Sequence, residues 1–145
     1  MREAYGNLWE YPADIRVITT NGMVKKNGAV VMGRGCARQA RDTFPGIDLD
    51  IGALITKHGN RAFRIIGTDI ATLPVKTHWK NPAEIPLIVR SCMQLMQMAD
   101  KFGWESIVVP RPGCGNGQLS WNHVKPSVEG VLDDRFTVIT YKEEK

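Results

Sequence analysis

Short β-branched runs alternate along this chain with longer stretches of three- and four-residue apolar spacing, and this alternation restricts the fold more than any other feature. Ile15-Arg16-Val17-Ile18-Thr19, Ile70-Ala71-Thr72-Leu73, Ile107-Val108-Val109 and Phe136-Thr137-Val138-Ile139-Thr140-Tyr141 read as strands. Ala29-Val30-Val31-Met32 and Phe63-Arg64-Ile65-Ile66 are further strand candidates. Helical segments are predicted at Cys36 to Thr43, around Leu49 to Lys57, at Val124 to Leu132 and, most clearly, at Pro82 to Phe102. In the last of these, Ile85, Ile88, Val89, Cys92, Leu95, Met96 and Ala99 fall on one face. Asn81 is placed to cap that helix, Pro82 to open it and Gly103 to end it. Its methionine-rich stripe has the spacing of core packing. Strands alternating with helices predict an α/β layered domain with a largely parallel or mixed sheet. In such sheets ligands sit outside the carboxyl ends of the strands.

With 145 residues and no repeat or linker-like tract, residues 1–145 are expected to form one domain. A hydrophobic content of 43% against 23% charged residues excludes global disorder. No apolar run approaches the ~18 residues of a membrane span, and Met1-Arg2-Glu3-Ala4-Tyr5-Gly6 lacks the apolar stretch of a secretory signal. Cys36, Cys92 and Cys114 are widely spaced, with no CxxC pair, so neither a disulfide framework nor a zinc site is expected. Reduced thiols in a cytoplasm fit that pattern. The net charge of +4 permits an anionic ligand or nucleic acid without requiring one, because the basic residues are scattered.

Three loops after predicted strands could carry chemistry. One runs from Thr19-Thr20-Asn21-Gly22 to Gly33-Arg34-Gly35-Cys36-Ala37, and a second is Leu73-Pro74-Val75-Lys76-Thr77-His78-Trp79. The third is Pro110-Arg111-Pro112-Gly113-Cys114-Gly115-Asn116-Gly117-Gln118-Leu119. Glycines let the main chain approach a ligand and turn its N–H groups toward an anion, which suits pyrophosphate. Gly33-Arg34-Gly35 is half of a dinucleotide fingerprint, but Arg38 stands where its third glycine belongs. No Lys-Ser or Lys-Thr follows the glycines, which excludes a P-loop.

These residues resemble the macro domains, which bind ADP-ribose. The resemblance covers nearly the whole chain: Gly6-Asn7-Leu8, Asn21, Val31-Met32-Gly33-Arg34-Gly35-Cys36-Ala37, Leu73 to Trp79, and Gly113-Cys114-Gly115 with Leu119 and Trp121. It is strongest to the branch holding the DNA-directed antitoxin macro domains and the glycohydrolases that remove terminal ADP-ribose from protein acids. It implies a three-layer α/β/α fold with a mixed, largely parallel central sheet. It further implies that Lys76 is catalytic, that Gly113-Cys114-Gly115 embraces the distal ribose and that Gly6-Asn7-Leu8 reads adenine. Thr20, Asn21, Met32, Gly33, Arg34, Gly35, Cys36, Ala37, His78, Trp79, Pro112, Asn116 and Gly117 complete the expected ligand-binding set. Two departures stand out. The protein-directed glycohydrolases carry an aspartate where this chain has Gly117, so their paired Lys/Asp machinery is absent and the resemblance leans toward the antitoxins. Those antitoxins usually have an asparagine where Ile18 stands, and the loop from Asn21 to Met32, with Lys25-Lys26, is longer than usual.

The function so implied is binding of ADP-ribose and hydrolysis of an ADP-ribosyl linkage on a modified macromolecule, DNA among the carriers. A lysine of depressed pKa can attack the anomeric carbon of the distal ribose, act as a base or stabilise charge there. No metal or cofactor, no membrane and a monomeric state are expected. A non-catalytic reader or sequestering module and a phosphatase for ADP-ribose 1″-phosphate are the alternatives. Among single residues, Trp79 is suited either to stack on a base or to cover apolar core. Cys114 reads as a packing residue, Trp121 as an anchor of the glycine loop, and Arg34 and Arg111 as flanking groups able to meet phosphate.

Overall fold

The computed structural model describes residues 1–141. Five strands, β1 (Arg2–Tyr5), β2 (Ile15–Asn21), β3 (Ile70–Lys76), β4 (Ile107–Pro110) and β5 (Phe136–Thr140), form one sheet in the order β1-β5-β4-β2-β3. Every ladder between these strands is parallel. Four helices, α1 (Gly35–Thr43), α2 (Ile47–His58), α3 (Ile85–Phe102) and α4 (Trp121–Glu129), cover both faces and give the expected three layers. No helix among the described residues is long and apolar enough to cross a membrane.

The β-branched strands alternate their side chains between two cores. Val17, Ala71, Leu73, Ile107, Val109, Phe136 and Val138 pack with α3 and α4, whereas Ile18 and Ile70 pack with α1 and α2. Burial on both faces is why these strands read as continuous apolar runs rather than as alternating ones. On α3 the buried stripe is Leu87, Ile88, Ser91, Cys92, Leu95 and Ala99, and the helix closes at Gly103 with φ 68°, a left-handed position that glycine takes without strain. Ser91 donates to the carbonyl of Pro74, whose ring is tolerated because β3 is an edge strand.

Several boundaries differ from the sequence reading. Helix α3 starts at Ile85, not Pro82, with Glu84 at the N-cap and Pro86 in the first turn. Helix α4 begins earlier, at Trp121, and ends at Glu129. Ala29 to Met32 is not a strand: only a Val24–Val30 antiparallel bridge forms, and Val30 N–H donates to Asp48 of α2 at 3.0 Å instead of to a sheet neighbour. Its apolar character is spent on the α1/α2 core, where Val30 and Met32 are buried. Phe63 to Ile66 likewise makes one antiparallel bridge, Arg64–Ala71, and folds back along the start of β3. These isolated antiparallel bridges lie outside the ladders of the sheet, which is parallel throughout its five strands. Strand β1, exposed along most of its length, had no apolar pattern to announce it.

Candidate functional site

Because the strands are parallel, all five carboxyl ends lie along one edge, and the loops leaving them build a cleft. It comprises two cavities, of ≈ 480 Å³ and ≈ 420 Å³, that share Thr19 and Cys114 in their walls. The larger lies between the ends of β2, β3 and β4. The smaller lies between the start of α1 and the ends of β4 and β5. Among the described residues no Asp or Glu lines either cavity, whereas Arg34, Lys76 and Lys80 line the first and Arg111 the second. The cleft is therefore cationic and suits a ligand carrying phosphate.

Lys76 sits at the last position of β3, and a bulge decides what stands beside it. The β2–β3 register runs Thr20 to Pro74 and then jumps, pairing Asn21 with Lys76. One extra residue on β3 therefore turns the Asn21 and Lys76 side chains into the same cavity, as bulges commonly do next to functional sites. The half-buried Lys76 donates from Nζ to the carbonyls of Trp79 at 3.0 Å and Asn116 at 3.3 Å, tying together the loops that follow β3 and β4. Burial first, and the Arg34 guanidinium second, hold its pKa below the ordinary lysine value. No carboxylate lies within 4.0 Å of Nζ among the described residues. Asn21 spans the loop beyond β2, donating to Val31 O at 3.0 Å and accepting from Met23 N–H at 2.9 Å.

The glycine loop after β4 is shaped by packing below and openness above. A Cβ on Gly113 would come within 2.7 Å of Ile88 Cδ1, so this residue must be small where the loop lies on α3. Gly115, with φ 69°, meets nothing within 4 Å and borders the second cavity. Across the cleft, α1 starts at Gly35 (φ 58°) with no side chain capping it, so its first N–H groups are free for a ligand. The two loops nearly touch: a Cβ on Gly35 would lie 3.2 Å from Asn116 Nδ2. Burial raises the Cys114 thiol, a shift that nearby Arg111 opposes, so Cys114 is poorly suited to act as a thiolate.

The residues singled out from sequence are brought together unevenly. Thr20, Asn21, Lys76 and Trp79 line the first cavity, as do Met32, Gly33, Arg34 and Ala37 from the loop into α1. From the β4 loop, Gly113, Cys114, Asn116 and Gly117 join them. Gly6, Leu8, Gly35, Cys36 and Gly115 line the second cavity. Asn7, His78 and Pro112 line neither. Asn7 instead closes a turn, accepting from Trp9 N–H at 2.9 Å. His78 stacks on Trp79, with ring centroids 6.1 Å apart, and accepts from Lys80 N–H. Pro112 is buried beneath its loop. Ile18 is fully buried in the α1/α2 core and faces no cavity; the asparagine at the cleft is Asn21. Thr19, Val31 and Gln118 line the first cavity from the segments singled out in the sequence, though outside the expected binding set, whereas sequence reasoning missed Lys80 there and Gln39, Thr140 and Tyr141 in the second. The end of β5 was open to the same carboxyl-end rule that selected the other loops.

Comparison with known proteins agrees with this architecture. The macro domain family model matches residues 21–128. A DNA ADP-ribosyl glycohydrolase of Thermus aquaticus is 28% identical over 142 residues, covering 92% of this chain and 38% of the relative. This chain thus spans well under half the length of that relative. Among solved structures, the macrodomain of Thermus aquaticus DarG superposes with a TM-score of 0.76 at 28% identity, covering 98% of this chain and 97% of that one. The macrodomain of Mycobacterium tuberculosis DarG gives 0.81 at 25% identity with the same coverage.

Proposed function

This chain belongs to the macro domain family, and on that premise we propose that it binds ADP-ribose along the two joined cavities and hydrolyses the bond linking ADP-ribose to a modified macromolecule. Adenine occupies the smaller cavity near Gly6 and Leu8. The pyrophosphate crosses the start of α1 and the Gly113–Gly117 loop, and the distal ribose lies beside Asn21 and Lys76 in the larger cavity. Water takes the place of the carrier at the anomeric carbon. The carrier is DNA, a reading supported by relatives that bear the name DNA ADP-ribosyl glycohydrolase.

The observation that carries the catalytic part is the setting of Lys76. Two carbonyls take two of its N–H groups and leave one tetrahedral position for a ligand, while burial and Arg34 favour the neutral amine. Such an amine serves as a nucleophile or as a base toward water at the anomeric carbon. Every group invoked comes from one chain, which supports a monomer, and the three free thiols suit a reducing cytoplasm. A second reading, binding without turnover, is favoured by the lack, among the described residues, of any carboxylate near Nζ to share the proton transfers. The test is to incubate the protein with ADP-ribosylated DNA, ADP-ribosylated protein and ADP-ribose 1″-phosphate separately. Release of ADP-ribose from DNA alone supports the reading; an inert protein that still binds ADP-ribose is a reader, and release of phosphate makes it a phosphatase.

A further inference from the structure

A separate groove of ≈ 480 Å³ runs along the flank of the sheet, outside edge strand β3, and shares no lining residue with the cleft. It lies between residues 61–66, the end of α2 and the C-terminal half of α3. Residues 63–65 lie antiparallel to β3, with Ile65 N–H donating to Ile70 O at 3.0 Å and Thr72 N–H to Phe63 O at 2.8 Å. In such a widely spaced pair the main-chain N–H and C=O of Arg64 point away from β3. The outward N–H two residues earlier, at Ala62, is capped by Gln94 Oε1 at 2.9 Å. Those of Arg64 have no partner among the described residues.

The side chains around this open edge carry one sign of charge. Arg61, Arg64 and Lys101 line the groove, all exposed, and among the described residues none has a carboxylate within 4.0 Å. No Asp or Glu among the described residues lines it. Lys101 complements the C-terminal end of α3, but Arg61 and Arg64 belong to no helix, so helix-end charge does not account for them. Between the cations lies apolar surface: Ile66 is 83% exposed and Phe102 39%. The Arg64 guanidinium sits 4.5 Å from the Phe102 ring centroid and Lys101 Nζ 5.4 Å from it.

We propose that this flank docks an extended acidic protein segment, which adds as a strand outside residues 62–66. Its main chain pairs with the open N–H and C=O of Arg64, as peptides do when they extend a sheet edge. Its carboxylates meet Arg61, Arg64 and Lys101, and an apolar side chain rests on Ile66 and Phe102. The Arg64 and Lys101 cations now near the Phe102 ring are held weakly at an exposed site, so they are free to turn to carboxylates. Nucleic acid fits less well, because its interfaces are more polar than this apolar floor and it has no peptide groups to pair with a strand edge. The inference stands apart from the functional reading above, since groove and cleft share no residue.

The experiment titrates the isotope-labelled full chain with capped peptides of about eight residues, a common strand length. They alternate glutamate or aspartate with valine, isoleucine or phenylalanine. Binding should shift the Arg64 amide signal and slow its hydrogen exchange, because strand addition gives that N–H an acceptor. Methylating one alternate set of peptide nitrogens should abolish binding, while methylating the other set should leave it. Arg64→Glu and Lys101→Glu should each weaken binding by about tenfold or more, because like charges then face each other. Arg90→Glu makes the same charge change at an exposed α3 position outside the groove and should have less than about a twofold effect at physiological salt. All three side chains are exposed, so the variants should melt with the parent. No binding by any acidic peptide, equal binding of peptides with lysine in place of the acids, or signal shifts that miss residues 61–66 would overturn the inference. An oligothymidylate that shifts the Arg64 signal where the acidic peptides do not would overturn it in favour of a nucleic-acid surface.

Discussion

Gly52 offers a case in which local preference and tertiary packing predict opposite signs. It lies inside α2, where alanine is favoured over glycine by about 1 kcal/mol, so helix propensity alone makes Gly52→Ala stabilising. In the folded protein a Cβ there would sit 1.9 Å from Gly28 O and 3.0 Å from Val30 N. Reaching ordinary contact requires the backbone of residues 28–30 to retreat by about 1.5 Å. That loop is held down by the Val30 N–H to Asp48 O bond at 3.0 Å. Overpacking costs about 1–3 kcal/mol, and loss of the bond adds about 1 kcal/mol. The net expectation is destabilisation by about 1–3 kcal/mol, a fall in Tm of roughly 3–9 °C for a domain of this size. Because the same loop carries Val31 and Met32 into the larger cavity, ADP-ribose affinity should fall severalfold as well. Urea titration and calorimetry on the same preparation read both effects. If Gly52→Ala proves as stable as the parent or more so, the close approach of loop and helix is wrong, and the reasoning with it.

Gly115→Val should abolish ADP-ribose binding in calorimetry while lowering stability by only about 1–2 kcal/mol, since its Cβ enters open cavity space and the cost is that of a side chain at φ 69°; normal binding would show that the second cavity is not used. Lys76→Ala should reduce turnover by about a hundredfold or more in a single-turnover assay, with a smaller loss of ADP-ribose affinity. Lys76→Arg should fail too, because a guanidinium does not give up its proton; full activity in either variant would move the search for the reactive group to Asn21. The kcat/KM profile should rise with pH along a limb below the ordinary lysine value, since burial and then Arg34 depress the Lys76 pKa, and Arg34→Ala should move that limb upward. The sign for stability follows: the partly desolvated ammonium is destabilising below its lowered pKa, and that cost is relieved as pH rises from there toward the ordinary value, so stability relative to Lys76→Gln should increase over that interval.

Much of the layered fold was legible in the chain because the relevant signals are local. Four of the five strands are β-branched or apolar runs, and α3 carries an unbroken three-and-four spacing, so period and turn residues suffice to find them. The glycine loop after β4 was legible for the same reason, since it follows a strand, whereas Lys76 was singled out by the family resemblance. The boundaries that slipped did so where a tertiary partner replaced the expected one: Val30 bonds to α2 instead of a strand, and Pro82 lies outside the helix that Glu84 caps. Strand β1 exists only because Arg2 to Tyr5 finds Thr137 to Thr140 in register, more than a hundred residues away, which no local pattern reports. The site depended still more on such distant pairings. The bulge that sets Asn21 beside Lys76 belongs to the β2–β3 pairing and not to either segment, and Ile18, where the resemblance expects an asparagine, is a core residue. The bond from Lys76 to Asn116 joins residues forty positions apart. Composition and periodicity choose which segments are strand or helix because those choices are made within a few residues. The cleft is decided by the parallel sheet, because only its closure brings five separate chain ends to one edge.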